Sequence, residues 1–298
     1  MIFPAPVALA VPAASPSPAE FTLEGVYAVA HAAARKAADP RAVLAGESST
    51  TAEKLSAIDS IHSRLPGQTA ASQRAAVSAL VDASADPRQP PEVRAKALTH
   101  LGYAVPVIED EKTRAKAVNA LLSNLPSQTY RIYALRGLGP AAHDLPDALE
   151  APVQKTLLDL LTGPVAGEER ATALVALQSF LSTRDDLWER KPSLVAQLDE
   201  SLLAPLEADP AAFVNDPRGC VASRQLTLSV VWTSARHRET GGNKAPVLRV
   251  HALLNRLAKI ETSPTVLGWI EIYRRSGPAS STGRDGAESS DHASPGVS

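Results

Sequence analysis

Seven histidines, at 31, 62, 100, 143, 237, 251 and 292, are the first residues to test for chemistry. None is followed by Glu, and no spacing among them is typical of a metal site. His143-Asp144 is one adjacent pair in a turn, open to reading as a solvated loop or as ligands. Cys220 is the single cysteine. It excludes an internal disulfide and a multi-thiolate metal site, and fits either a small buried apolar residue or a reactive thiol. No G-x-S-x-G, phosphate-loop or dinucleotide fingerprint occurs. No catalytic residue, metal or cofactor is therefore expected. Aromatic and cationic residues remain. Trp232, Trp269 and Tyr273 lie among Arg236, Arg238, Arg249, Arg256, Arg274 and Arg275, residue types that can stack bases and contact phosphates. The same spacing fits Trp in a helical core with Arg on the wet side. Tyr130 and Tyr133 flank Arg131, with Arg136 following. Exposed Tyr and Arg anchor protein partners, and one of the two tyrosines is expected to face outward. His100 stands where related segments carry a small residue, which predicts a widened gap or an exposed edge.

Those residues sit within a recurring pattern: Arg, two residues, Ala, two residues, a small residue, Leu. Copies start at Arg94 (Ala97, Leu101, Gly102), Arg114 (Ala117, Ala120, Leu121), Arg131 (Ala134, Gly137, Leu138) and Arg170 (Ala173, Ala176, Leu177). Gln73 takes the Arg place before Ala76, Ala79 and Leu80, and a degraded copy starts at Arg224. Positions i, i+3, i+6 and i+7 share one helix face. Ala there lets a neighbouring helix approach closely, while Leu fills the centre. Each unit then leaves an apolar face that only the next unit covers.

Aromatics are only 4% against 44% hydrophobic residues overall, so an Ala- and Leu-rich helical protein follows. Leu226 to Trp232 is a brief strand-like exception. Ser17-Pro18-Ala19-Glu20 starts a first helix running to Asp39-Pro40. Thr50 and Glu53 form a capping box for a second, which Pro66-Gly67 ends. A third follows through Ala76 and Leu80. Helices are then expected at 92–104, 110–124, 128–139, 148–162, 166–182 and 192–206. Asp147 to Glu150 is read as a capping box for the 148–162 helix. Asp209-Pro210 starts a short helix, Asp216 to Gly219 is a loop, and helices follow at 220–237 and 245–260. Ser263-Pro264 caps a last one reaching Arg275. Residues 1–16 read as a leader, 17–275 as a helical-repeat domain (regular over 68–206, irregular over 207–275) and 276–298 as a disordered tail.

The copy Asp86-Pro87 … Pro91-Glu92-Val93-Arg94 … Ala97 … Leu101-Gly102 resembles the HEAT repeat and its bacterial HEAT-like variants. The resemblance covers residues 68–182. It implies an all-α, right-handed α-solenoid of antiparallel helix pairs with a concave face. It also implies that Arg94, Arg114, Arg131 and Arg170 tie one repeat to the next. Asp-Pro is missing before Arg114, Arg131 and Arg170, so the turns there depart from the family pattern. HEAT-like deoxyhypusine hydroxylase holds iron with His-Glu pairs, which this chain lacks. HEAT-like DNA glycosylases line a basic groove with aromatics and a carboxylate, for which the basic C-terminal third offers the residues named above.

Net charge is −2, which argues against a general nucleic-acid binder. The charge is uneven: residues 219–275 hold nine Lys/Arg and three Glu. Such asymmetry can orient an acidic partner. No stretch is long and apolar enough for a transmembrane helix. Ala8-Leu9-Ala10 is similar to a signal-peptidase site, but no basic residue precedes it and Pro4 and Pro6 break the apolar run. A cytoplasmic location is favoured, with periplasmic export the outcome if the leader is a truncated signal. High Ala, Pro and Arg-over-Lys usage suggests a G+C-rich bacterial genome. The expected function is a non-enzymatic protein-binding scaffold or adaptor using the concave face. The expected contacts are Tyr130, Tyr133, Arg136 and His100, with Arg236, Arg238, Arg249 and Arg256 as electrostatic additions. The alternatives are a nucleic-acid-acting protein of the glycosylase type and an envelope-associated scaffold.

Overall fold

The computed structural model describes residues 39–182, 192–240 and 242–276. The leader, the helix expected from Ser17 and the tail after Ser276 lie outside them. The described residues are all-helical and contain no strand. In chain order the helices are α1 (Pro40–Ala45), α2 (Thr51–Arg64), α3 (Ala70–Ala85), α4 (Pro91–Ala104), α5 (Glu111–Asn124), α6 (Arg131–Ala141), α7 (Asp147–Thr162) and α8 (Gly167–Ser182). Next comes α9, which runs from Pro192–Leu198 through a π-helical turn, Asp199–Leu203, into Ala204–Ala208. The chain closes with α10 (Pro210–Val214), α11 (Val221–Thr240), α12 (Ala245–Leu257) and α13 (Pro264–Arg275).

Local chemistry sets these boundaries. Thr50 and Glu53 close the expected capping box on α2. Gly67, at φ 77°, supplies the left-handed residue that turns the chain out of that helix. Asp209 accepts from Ala212 N–H and starts α10, as expected. Two start signals work differently from the expectation. Pro146, not Asp147, holds the cap position of α7, with extended backbone and no side-chain hydrogen bond at that cap. Ser263 caps α13 by position only. The side chain that organises that turn is Glu261, which accepts from the Thr262 and Ser263 N–H groups. Leu226 to Trp232, strand-like by composition, lies inside α11, where burial of Leu228, Val230 and Val231 outweighs β propensity.

Helix contacts fall into two rows. One runs α2–α4–α6–α8–α11–α13 and the other α1–α3–α5–α7–α9, with α10 leading to α12. Apart from short α10, successive helices alternate between the rows. One continuous core, from Leu44 to Tyr273, lies between them. Small residues set its closest approach. A Cβ on Gly102 would fall 1.9 Å from Gly137 O, so α4 and α6 touch backbone to backbone.

The repeated Arg explains how the rows are joined. It is the fourth helical residue in α4, α5, α8 and α11, and Gln73 is the fourth in α3. Arg94 Nε donates to Ser84 O, Arg131 Nε to Leu125 O, and Arg170 NH1 to Leu161 O, each at the end of the preceding helix. Gln73 does the same toward Leu65 O and also bonds Val107 O and Glu109 N–H. Each side chain also reaches forward. Arg94 lies 4.2 Å over the Tyr130 ring, Arg131 pairs with Glu169 at 3.1 Å, and Arg224 with Glu261 at 3.1 Å. Lys54, fourth in α2, is the tie that the Arg pattern overlooks: it donates to Gln89, whose amide caps Leu44 O. Arg114 departs from the set, with its Nε buried and unbonded.

Candidate interaction surface

On the α2–α4 seam, five polar and aromatic residues meet. Asp59 and His62 are one turn apart on α2. Lys96, His100 and Tyr103 follow i, i+4, i+7 spacing on α4, so they share a face. Lys96 Nζ donates to Asp59 at 2.6 Å, and His100 Nε2 lies 3.5 Å from the other Asp59 oxygen. The His62 and His100 rings meet edge to face with centroids 5.2 Å apart. Tyr103 packs at 6.0 Å from His62 and 6.2 Å from His100. Its side chain is 48% exposed, one of the largest apolar surfaces in contact with solvent. The Nδ1 atoms of His62 and His100 are buried and unbonded. Burial holds His100 below the ordinary histidine range, and His62 and Lys96 add to this while Asp59 opposes it.

The sequence-predicted residues divide three ways. Tyr130 is 9% exposed and sits beneath Arg94, so it faces inward. Tyr133 is half-buried, with the Arg136 guanidinium 5.5 Å over its ring, and Arg136 pairs with Glu168 of α8 at 2.5 Å. His100 is neither an open edge nor a gap; it is part of the seam cluster.

The third group, in the basic C-terminal region, is paired within the chain. Arg238 makes a bidentate contact with Asp199 at 2.6 and 2.8 Å. Arg249 does so with Glu207 at 3.1 and 2.6 Å. Arg256 donates to Glu207 O, Arg236 pairs with Glu239, and Glu271 takes Arg274 and Arg275. Asp199 lies in the π turn of α9, so acids that α9 presents, Asp199 and Glu207, meet part of the charge asymmetry of the sequence. Trp232 is 8% exposed, stacked on Tyr273 with centroids 5.4 Å apart and in edge contact with His251. These aromatics are core rather than a stacking platform.

Sequence reasoning missed Asp59, His62 and Tyr103. Each was readable as part of a helical face. Which faces meet is fixed by packing between helices, which spacing alone does not encode.

No group of three metal-ligating side chains occurs among the described residues. Two shallow hollows, of 290 and 410 Å³, are lined by residues such as Arg41, Arg64 and Ser72, and Lys155, Thr156 and Gln197. Neither sets a nucleophile beside a histidine. No described helix is long and apolar enough to cross a membrane. Comparison of the chain with protein-family models, curated proteins and solved structures finds no match.

Proposed function

We propose that this chain is a non-enzymatic scaffold, a HEAT-like α-solenoid that binds another protein through the outward face of α2, α4 and α6. The repeat reading is supported by the reach of its side-chain hydrogen bonds. Lys54 to Gln89 spans 35 residues, Lys96 to Asp59 37, Lys116 to Ser78 38, Arg131 to Glu169 38, Gln154 to Leu194 40, and Arg224 to Glu261 37. That is the length of one helix pair with its turns, as expected where each unit bonds to the next.

The observation that carries the binding reading is Tyr103. A half-exposed aromatic ring, braced by two imidazoles, has the make-up of a binding anchor. Arg136 and Tyr133 of α6 extend the same row. Pairing of the C-terminal cations weighs against the glycosylase-type reading, since cations held by carboxylates offer less to phosphate.

Affinity capture with the full chain, followed by mass spectrometry, tests the reading when run beside Tyr103→Ala. Expected is a partner retained by the parent chain and lost from the variant at equal folded content. Salt-dependent binding of DNA, with no partner dependent on Tyr103, would overturn it.

A further inference from the structure

We propose that His62 and His100 form an acid-sensitive latch across the α2–α4 seam, closed while the His100 ring is neutral and released when that ring takes a proton. The geometry of the two ring nitrogens carries this. His100 Nε2 faces Asp59 at 3.5 Å, so in the neutral ring the N–H belongs on that side. Nδ1 is then a bare acceptor, buried and unbonded. A buried acceptor without a partner is tolerable; a buried charged donor without one is far more costly. Protonation creates that donor at Nδ1. It also sets a cation against the His62 ring, 5.2 Å away, and near Lys96.

The groups acting electrostatically on His100 are His62 and Asp59 of α2 and Lys96 of its own helix. Only Asp59 favours the charged ring, and it is already shared with Lys96 at 2.6 Å. No charged group of α3, α5 or α6 is among them. On α6 the cations are Arg131, engaged with Leu125 O and Glu169, and Arg136, engaged with Glu168.

The least costly response is local. The His100 side chain is 17% exposed and Tyr103 beside it is already open to solvent. The imidazole can therefore turn outward without unpacking Ile58, Ile61, Leu98 and Leu101 beneath. Release loosens the outer part of the seam and repositions Tyr103, while the core stays closed. The latch is a property of the chain alone and stands whether or not the surface binds a protein, so its test uses no partner.

Amide hydrogen exchange of the full chain at pH 7.5 and pH 5.5, corrected for intrinsic rates, reads the seam directly. Protection in the last turns of α2 and α4 is expected to fall relative to that in α7 and α8, because burial disfavours the charged His100 ring in the closed seam. In His100→Gln the relative fall should vanish. Equal behaviour of the two regions in the parent chain, or an unchanged fall in the variant, overturns the latch. If the variant does not fold, imidazole NMR titration of the parent chain decides. His100 should titrate below the usual histidine range with Tyr103 ring signals moving in step. Ordinary titration with a stationary Tyr103 overturns it.

Discussion

The α2–α8 and α9–α13 regions use the same residue type, a part-buried arginine, with a different balance of partners. In the first region Arg94, Arg131 and Arg170 donate to backbone carbonyls at helix ends, Ser84, Leu125 and Leu161, and Arg131 also pairs with Glu169. In the second the arginines meet carboxylates: Arg224 with Glu261, Arg238 with Asp199, Arg249 with Glu207. A carbonyl is supplied by every helix end, so the first arrangement can recur at each unit. A carboxylate must be placed individually, and the second arrangement is irregular accordingly.

The comparison can be broken by removing one partner on each side. Glu261 has a side chain 1% exposed and holds Arg224. Glu261→Ala leaves that guanidinium without its carboxylate and is expected to cost about 3–5 kcal/mol in urea unfolding. A loss under about 1 kcal/mol would mean that the C-terminal pairs are not cohesive. Gly102→Ala is expected to cost about 3 kcal/mol, because its Cβ meets the Gly137 backbone. Thermal melts of the variant should show the loss, and an unchanged midpoint would refute the close crossing. Arg94→Met removes a charged donor from Ser84 O and the contact over Tyr130. A cost of about 1.5–3 kcal/mol is expected, less sensitive to added salt than the Glu261 change. Gly139→Ala is the smallest effect and of opposite sign. Nothing lies within 4 Å of its Cβ, so a gain of about 0.5–1 kcal/mol is expected.

Acidity offers a separate comparison. His100 and His251 both titrate below the ordinary histidine value, chiefly because of burial. The unfolded chain therefore takes up protons first. Their contribution is complete above about pH 6.5 and is lost as pH falls toward the depressed folded values. Asp39, Asp86 and Asp216, each held low by hydrogen bonds from the Arg two residues on, act in a lower window. Their contribution is present above the ordinary aspartate value and is lost as pH falls through the lower folded values. Stability measured between pH 7 and 5 should thus fall for the parent chain and fall less for a variant with His100 and His251 both replaced by Gln.

Much of the helical architecture was legible in the pattern. Helix starts at Thr50 and Asp209 followed from capping residues whose bonds are local. Close helix approach was readable from the small residues after Arg94 and Arg131. The tie at Lys54 was hidden because its chemistry, not its place as fourth helical residue, differs from the Arg copies. Tyr130 and Tyr133 were equivalent on paper, since both flank Arg131. Only the position of Arg94 above Tyr130 separated them. The basic C-terminal third read as a surface for a partner because its acids, Asp199 and Glu207, stand outside it in sequence.

By itself, then, the sequence determined what local forces control: helices, their caps and the small residues that allow contact. Those interactions act within a turn or between chain neighbours, where spacing is geometry. The tertiary structure alone decided which faces meet. Asp59, His62, His100 and Tyr103 became one cluster, and the C-terminal arginines became internal pairs. The Lys96–Asp59 contact and the Arg224, Arg238 and Arg249 pairs join side chains 37 to 42 residues apart. At that distance the order of residues no longer specifies contact, and the packing of one helix pair on the next does.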